Sequence, residues 1–252
     1  MPDNRQLAIC TMPLVYESIS SRVLLFSTGE TQSSMRLDDP LALDLEYTRT
    51  MMGFLMLLPE PRSIGMVGLG GGSLAKFCHR YLPHAQIQVV EINPHVIAVR
   101  EEFHIPDDDD RFQVVCANGA SFIRNRHAAY DVLLVDGYDV HGLPGELTSQ
   151  RFYDDCYAAL VADGVTVANL HYGHPHYQAH LNRIQQAFQG RLLVVDDDEL
   201  SNSIVFACKG ERLRKKGGGL IRRPKGLDAN AADHLLAAFS RIATARRHQW
   251  WW

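Results

Sequence analysis

Long apolar runs are missing from this 252-residue chain. The longest, Met51 to Leu58, is broken by Gly53 and falls far short of the ~20 residues that a membrane-spanning helix needs. Paired cysteines are missing as well. The five present (Cys10, Cys78, Cys116, Cys156, Cys208) are odd in number, widely spread and form no CxxC. That pattern fits free thiols in a reducing cytosol better than a disulfide framework or a zinc cluster. The opening Met-Pro-Asp-Asn-Arg carries no basic start running into an apolar stretch, so no signal peptide is expected. The expectation is a soluble cytoplasmic protein that neither enters a membrane nor carries a prosthetic group.

Net charge is also scarce, at −4 from 25 Lys and Arg against 29 Asp and Glu. The sum conceals a division. Residues 1–208 hold 14 basic and 26 acidic side chains, a net −12, whereas residues 209–252 hold 11 and 3, a net +8. An acidic body argues against a nucleic-acid groove running across it and suits a cationic ligand. The basic tail is expected to hold the acidic body of this chain or of a twin. Three terminal tryptophans, Trp250–Trp252, are expected to pack on this molecule or its twin, with a partner or membrane-surface contact as the alternative.

Three regions follow from the patterning. Residues 1–38 read as an N-terminal β-strand unit, with Arg22–Phe26 and Thr31–Arg36 flanking a glycine turn at Ser27–Glu30. Residues 39–210 read as a Rossmann-like domain that opens on a helix with Asp39 as N-cap and Pro40 in its first turn. Apolar runs at Ile64–Leu69, Ile87–Val90, Phe112–Val115, Val132–Val135, Val165–Leu170, Leu192–Val195 and Ile204–Ala207 predict strands. Helical stretches are predicted near Leu74–Tyr81, Pro94–Phe103, Ala120–Arg126, Ser149–Val161 and His176–Phe188. This alternation predicts an α/β fold, a doubly wound, methyltransferase-type sheet whose last pair of strands is antiparallel. Residues 211–252 read as a basic linker around Gly217 followed by a helix from Asn230 to about Arg246.

The chemistry concentrates at predicted strand ends. Val67-Gly-Leu-Gly-Gly-Gly-Ser73 places Gly68, Gly70 and Gly72 between a strand and a helix, where bare backbone turns tightly and approaches a ligand. A shifted reading through Gly70, Gly72 and Ala75 suits a dinucleotide equally. Glu91 ends the next strand, where a carboxylate accepts hydrogen bonds from ribose hydroxyls. Asn118, before Gly119, ends the third and is placed to accept from an adenine amine; Asp136 and Asp139 follow the fourth. Together these define a nucleoside-type pocket. His171, His174, His176 and His180 follow the fifth strand; without a cysteine and with Gly173 and Pro175 among them, they are expected to shape an entrance loop rather than bind metal.

These motifs resemble the spermidine synthases, polyamine aminopropyltransferases that use decarboxylated S-adenosylmethionine. The resemblance rests on Gln32 through Pro40, Gly70-Gly-Gly72, Val90-Glu91-Ile92, Ala117-Asn118-Gly119, Asp136 through Asp139 and Thr148 through Tyr153, and runs from about Leu24 to Ala207. It implies that Gly68, Gly70, Gly72, Ser73, Glu91, Asn118 and Gly119 hold the nucleoside co-substrate. It implies that Asp139 deprotonates the attacking amine, with Asp136 and Tyr47 in the same pocket and Gln32, Asp136 and Tyr138 binding the amine. It further implies a polyamine acceptor such as putrescine and a homodimer. Three positions depart from the family pattern: Ser73 stands where an Asp is usual, Thr48 where a Gln or His is usual, and Asn118 where an Asp is usual. An Asp in the glycine loop would repel the carboxylate of intact S-adenosylmethionine, and Ser73 does not. The alternatives are therefore a methyltransferase acting on a small acceptor and a non-catalytic nucleoside-binding or interaction protein.

Overall fold

The computed structural model describes residues 11–26, 31–137, 144–197, 201–214, 223–224 and 226–249. Cys10, the Ser27–Glu30 turn, Tyr138, Asp139, the Gly217 linker and Trp250–Trp252 lie outside them. Three short strands, β1 (Leu14–Glu17), β2 (Ser21–Leu25) and β3 (Thr31–Arg36), pair antiparallel in the order β1-β2-β3. β1 forms an edge of this small sheet, and Leu14, Tyr16 and the nearby Ile19 are exposed there.

The remaining strands make one seven-stranded sheet: β4 (Ser63–Val67), β5 (Gln86–Glu91), β6 (Phe112–Cys116), β7 (Tyr130–Val135), β8 (Leu160–His171), β9 (Leu192–Asp196) and β10 (Asn202–Cys208). Their order is β6-β5-β4-β7-β8-β10-β9. The five strands from β4 to β8 pair in parallel, and β10 runs antiparallel to both β8 and β9. The doubly wound arrangement with an antiparallel final pair is thus the one that the alternation predicts.

Alternate residues of these strands divide between two apolar layers, as a period of two requires. Ile64, Met66, Val132, Leu134, Ile204 and Phe206 join one cluster; Val67, Leu133, Val135, Val205 and Ala207 join the other. The first layer is covered by α1 (Glu46–Met51), α2 (Ser73–Tyr81), α3 (Pro94–Ala98) and the C-terminal α7 (Ala229–Gln249). The second is covered by α4 (Gly119–Arg124), α5 (Gln150–Ala159) and α6 (Tyr177–Ala187). Burial on both faces is why the central strands read as nearly unbroken apolar runs.

Three boundaries differ from expectation. No helix starts at Asp39-Pro40: these residues make a turn, with Ala42 N–H donating to Asp39 O at 3.0 Å, and α1 begins at Glu46. Tertiary bonds override the local helix signal. Ser34 Oγ donates to the Asp44 carboxylate at 2.5 Å, and Arg49 donates to the carbonyls of Leu43 and Asp44 at 3.0 and 3.2 Å. After Met51 the helix tightens into a 3-10 turn, Met52–Met56. There a Cβ on Gly53 would stand 2.2 Å from Ile242 Cδ1 and 2.9 Å from Phe206 Cζ, so only glycine admits α7 this closely. The helix expected to reach Phe103 ends at Ala98, because Phe103 and Ile105 fold back against the glycine-rich loop. β8 begins at Leu160, five residues early, through an irregular register opposite Tyr130 and Val132.

The described helix of the basic tail packs on the body of the fold. Arg241 of α7 sets its guanidinium 2.5 Å from Glu46 Oε1 and donates to Thr50 Oγ1 at 3.1 Å, gripping α1. Arg246 donates to the carbonyls of Leu213 and Arg212 at 3.1 and 2.9 Å.

Lys76 is the unexpected core residue. Only 2% exposed in α2, its Nζ donates to Phe103 O at 2.8 Å. Burial pulls its ammonium down from 10.5 to about 8. The unfolded chain therefore holds more protons than the folded one across that interval, and the group's contribution is full above the unfolded value and lost as pH falls through the folded one. Against Lys76→Met, urea unfolding of the wild type should show relative stability rising from pH 8 to pH 10, with a slope approaching about 1.4 kcal/mol per pH unit. A pH-independent difference would overturn this.

Candidate active site

Every parallel strand from β4 to β8 ends on the same edge of the sheet, and the loops that follow define a cleft there. At the end of β4 the chain turns through Gly68, whose φ is +96° and whose Cβ would lie 2.2 Å from Asp136 O. Only glycine allows the ends of β4 and β7 to come this close. Gly72, at φ +69°, caps α2; a Cβ there would meet Ile105 Cγ1 at 2.4 Å.

Glu91 ends β5 and fastens two turns. Its Oε2 accepts from Leu69 N–H at 2.9 Å and its Oε1 from Asn93 N–H at 2.8 Å. Burial pushes its carboxyl up, while these peptide donors pull it down less strongly. On the other side of β4, Asp136 follows β7. Its Oδ1 accepts from Asn169 Nδ2 at 2.9 Å and its Oδ2 from the Tyr47 hydroxyl at 3.1 Å. Burial raises this carboxyl too, against the two side-chain bonds.

Asn118 carries two bonds within the chain. Its Oδ1 caps α4 by accepting from Ser121 N–H at 3.0 Å, and its Nδ2 donates to the Glu146 carboxylate. Glu146 belongs to a 3-10 turn, Gly145–Thr148, that follows the segment containing Tyr138 and Asp139.

These groups share one cavity of about 930 Å³. Of the residues expected there, Gln32, Tyr47, Gly68, Gly70, Ser73, Glu91, Asn118, Gly119 and Asp136 line it, while Gly72 stands behind it as the helix cap. Tyr138 and Asp139 lie outside the described residues. Sequence reasoning missed Asn169, Glu146, Ser201 and Asn202, all of which line the cavity. Asn169 carried a signal, being a polar residue inside the otherwise apolar run of β8; Glu146 carried none beyond its nearness to Asp139. His171 lines the cavity, whereas His180 is buried with no hydrogen-bond partner on either ring nitrogen among the described residues and is pushed down to about 4, chiefly by burial. Among the described residues no group of three or more His, Cys, Asp or Glu is arranged to hold a metal ion. Nor, among them, is any helix long and apolar enough to cross a membrane.

Comparisons with known proteins agree with this architecture. A family model for the spermine/spermidine synthase domain matches residues 45–193. A polyamine aminopropyltransferase of Chromobacterium violaceum is 37% identical over 250 residues, covering 91% of this chain and 96% of that protein. A probable spermidine synthase from Corynebacterium glutamicum superposes with a TM-score of 0.70 at 18% identity, over 93% of this chain and 89% of that one. A spermidine synthase in complex with the transition-state analogue AdoDATO superposes with a TM-score of 0.58 at 22% identity, over 93% and 86%. At these identities the two structures bear on the fold.

The environment of Asp136 makes a measurable demand. A carboxyl raised by burial adds stability that is present below its unfolded value and lost as pH rises through its folded one. Asp136→Asn keeps an oxygen for Asn169 and relieves the buried charge. Its melting temperature should equal or exceed that of the wild type at pH 7, and the gain should vanish as pH approaches about 4. A clear loss of stability at pH 7 would count against the assignment.

Proposed function

The chain belongs to the spermine/spermidine synthase domain family, and on that premise we propose that it is a polyamine aminopropyltransferase. The donor is decarboxylated S-adenosylmethionine and the acceptor a small polyamine, with putrescine the simplest that fits. One observation carries this reading: Glu91 and Asp136 end the two strands that flank β4, both facing the cavity of the glycine loop. Two strand spacings set them about 10 Å apart. A ribose held at Glu91 thus directs its 5′ chain across Gly68–Gly70 towards Asp136, where a cationic amine is attracted.

The reaction needs little covalent help from the protein. The acceptor nitrogen lone pair forms a bond to the sulfonium-bound methylene carbon, and the C–S bond breaks with its electrons passing to sulfur. Methylthioadenosine leaves as a neutral thioether. The amine must first lose a proton, and Asp139 is our assignment for the base. Asp136, held by Tyr47 and Asn169, orients the ammonium beside it.

One observation favours a second reading. Ser73, lining the cavity, is the first residue of α2. A helix N-terminus without an acidic side chain tolerates the carboxylate of intact S-adenosylmethionine, which would make the chain a methyltransferase.

The two readings separate in one assay. Incubation with decarboxylated S-adenosylmethionine and putrescine should give spermidine and methylthioadenosine in equal amounts, and Asp139→Asn should lower kcat by about 10²–10⁴. Methyl transfer from intact S-adenosylmethionine, with tighter calorimetric binding of that donor, would overturn the aminopropyl reading.

A further inference from the structure

We propose that Glu146, rather than Asn118, reads the nucleobase, and that it selects a base carrying an exocyclic amine. The inference rests on the nucleoside reading above and concerns which group of this chain supplies the acceptor.

Asn118 is the weaker acceptor: it is uncharged, and one of the two lone pairs on its carbonyl oxygen is already taken. Its one carbonyl oxygen holds the N-terminus of α4 through Ser121 N–H, and releasing it would leave a helix donor without its cap. Its amide nitrogen donates to Glu146 Oε2. An exocyclic amine brought to this corner therefore meets at residue 118 a neutral oxygen with one lone pair left. Glu146 is the carboxylate beside it, exposed and lining the same cavity. Its Oε1 has no hydrogen-bond partner among the described residues. An ionised carboxylate has about four acceptor sites, so the bond from Asn118 orients the group without exhausting it.

The seat of Glu146 is defined by the next residue. Leu147 is buried between two glycines: a Cβ on Gly137 would stand 2.8 Å from Leu147 Cδ1, and one on Gly119 3.4 Å from Cδ2. The 3-10 turn is thereby fastened to the ends of β6 and β7. Strand order gives the direction. A ribose at Glu91 lies at the end of β5, and β6 is the neighbour away from β4, so a base extending outward reaches the Asn118–Glu146 corner.

The chemistry is asymmetric. An amine on the base donates to Oε1 of Glu146, whereas a keto oxygen in its place faces a carboxylate with no proton to offer. Sites that bond a specific donor reject analogues lacking it, and here exposure to solvent moderates the effect to about tenfold.

The probes are 5′-methylthioadenosine and 5′-methylthioinosine, titrated calorimetrically into the full chain. The wild type should bind the adenine form about tenfold or more tightly. In Glu146→Gln, whose amide donates to a keto oxygen, the ratio should fall to within about twofold. The exposed position should leave the melting temperature unchanged. If Glu146→Gln keeps the wild-type ratio, or if the wild type binds both equally, Glu146 does not read the base while the nucleoside reading stands. If neither compound binds the wild type, the nucleoside reading fails and takes this inference with it.

Discussion

Two peptide N–H groups, Leu69 in the glycine loop and Asn93 in the turn after β5, converge on the carboxylate of Glu91. The glycine-loop end of the cleft depends on this convergence. Gly68 and Gly72 supply no side chains to hold the loop, because β7 and Ile105 approach there. A neighbouring strand therefore supplies the anchor. Bringing a carboxylate into this half-buried place is costly, and the peptide donors offset only part of the cost, which is why the carboxyl is raised in spite of them.

The other end of the cleft is organised in the same way from more distant parts of the chain. Asp136 follows β7, Asn169 lies in β8 and Tyr47 in α1, so three elements meet on one carboxylate. β3 contributes from above. A Cβ on Gly71 would stand 2.6 Å from Ser33 Oγ, which puts the small N-terminal sheet directly against the glycine loop. The two acids are equivalent in kind but differ in what restrains them: backbone amides for Glu91, movable side chains for Asp136. Under the proposed function, that difference would suit a static hold on the donor at one side and a reacting amine at the other.

Much of this architecture was legible in the residues. The apolar runs marked the strands because both sheet faces are covered, and the glycine loop declared itself by standing between a strand and a helix. What failed did so through tertiary override. Asp39-Pro40 is a strong local helix start, but Arg49 and Ser34 take hold of the segment and move the start to Glu46. After Ala98 the apolar Phe103 and Ile105 buttress the loop, a use with no helical period. Lys76 looked like one more cation on an amphipathic helix, and its burial depends on a carbonyl 27 residues away. Asn118 was recognisable as a polar residue at a strand end, but its second duty as a helix cap emerges only when α4 starts at Gly119.

The grip of α7 on α1 has a consequence for how the protein is made. Glu46 and Arg241 lie at opposite ends of the chain, and Ile242 presses on Gly53. A ribosome adding about 5–20 residues per second delivers the sheet well before the helix that braces Tyr47. Until α7 arrives, the apolar side of α1 is uncovered and the wall of the cleft that it carries is loose. The pocket is therefore among the last parts of the molecule to become rigid, although most of the residues lining it are synthesised in the first two thirds of the chain.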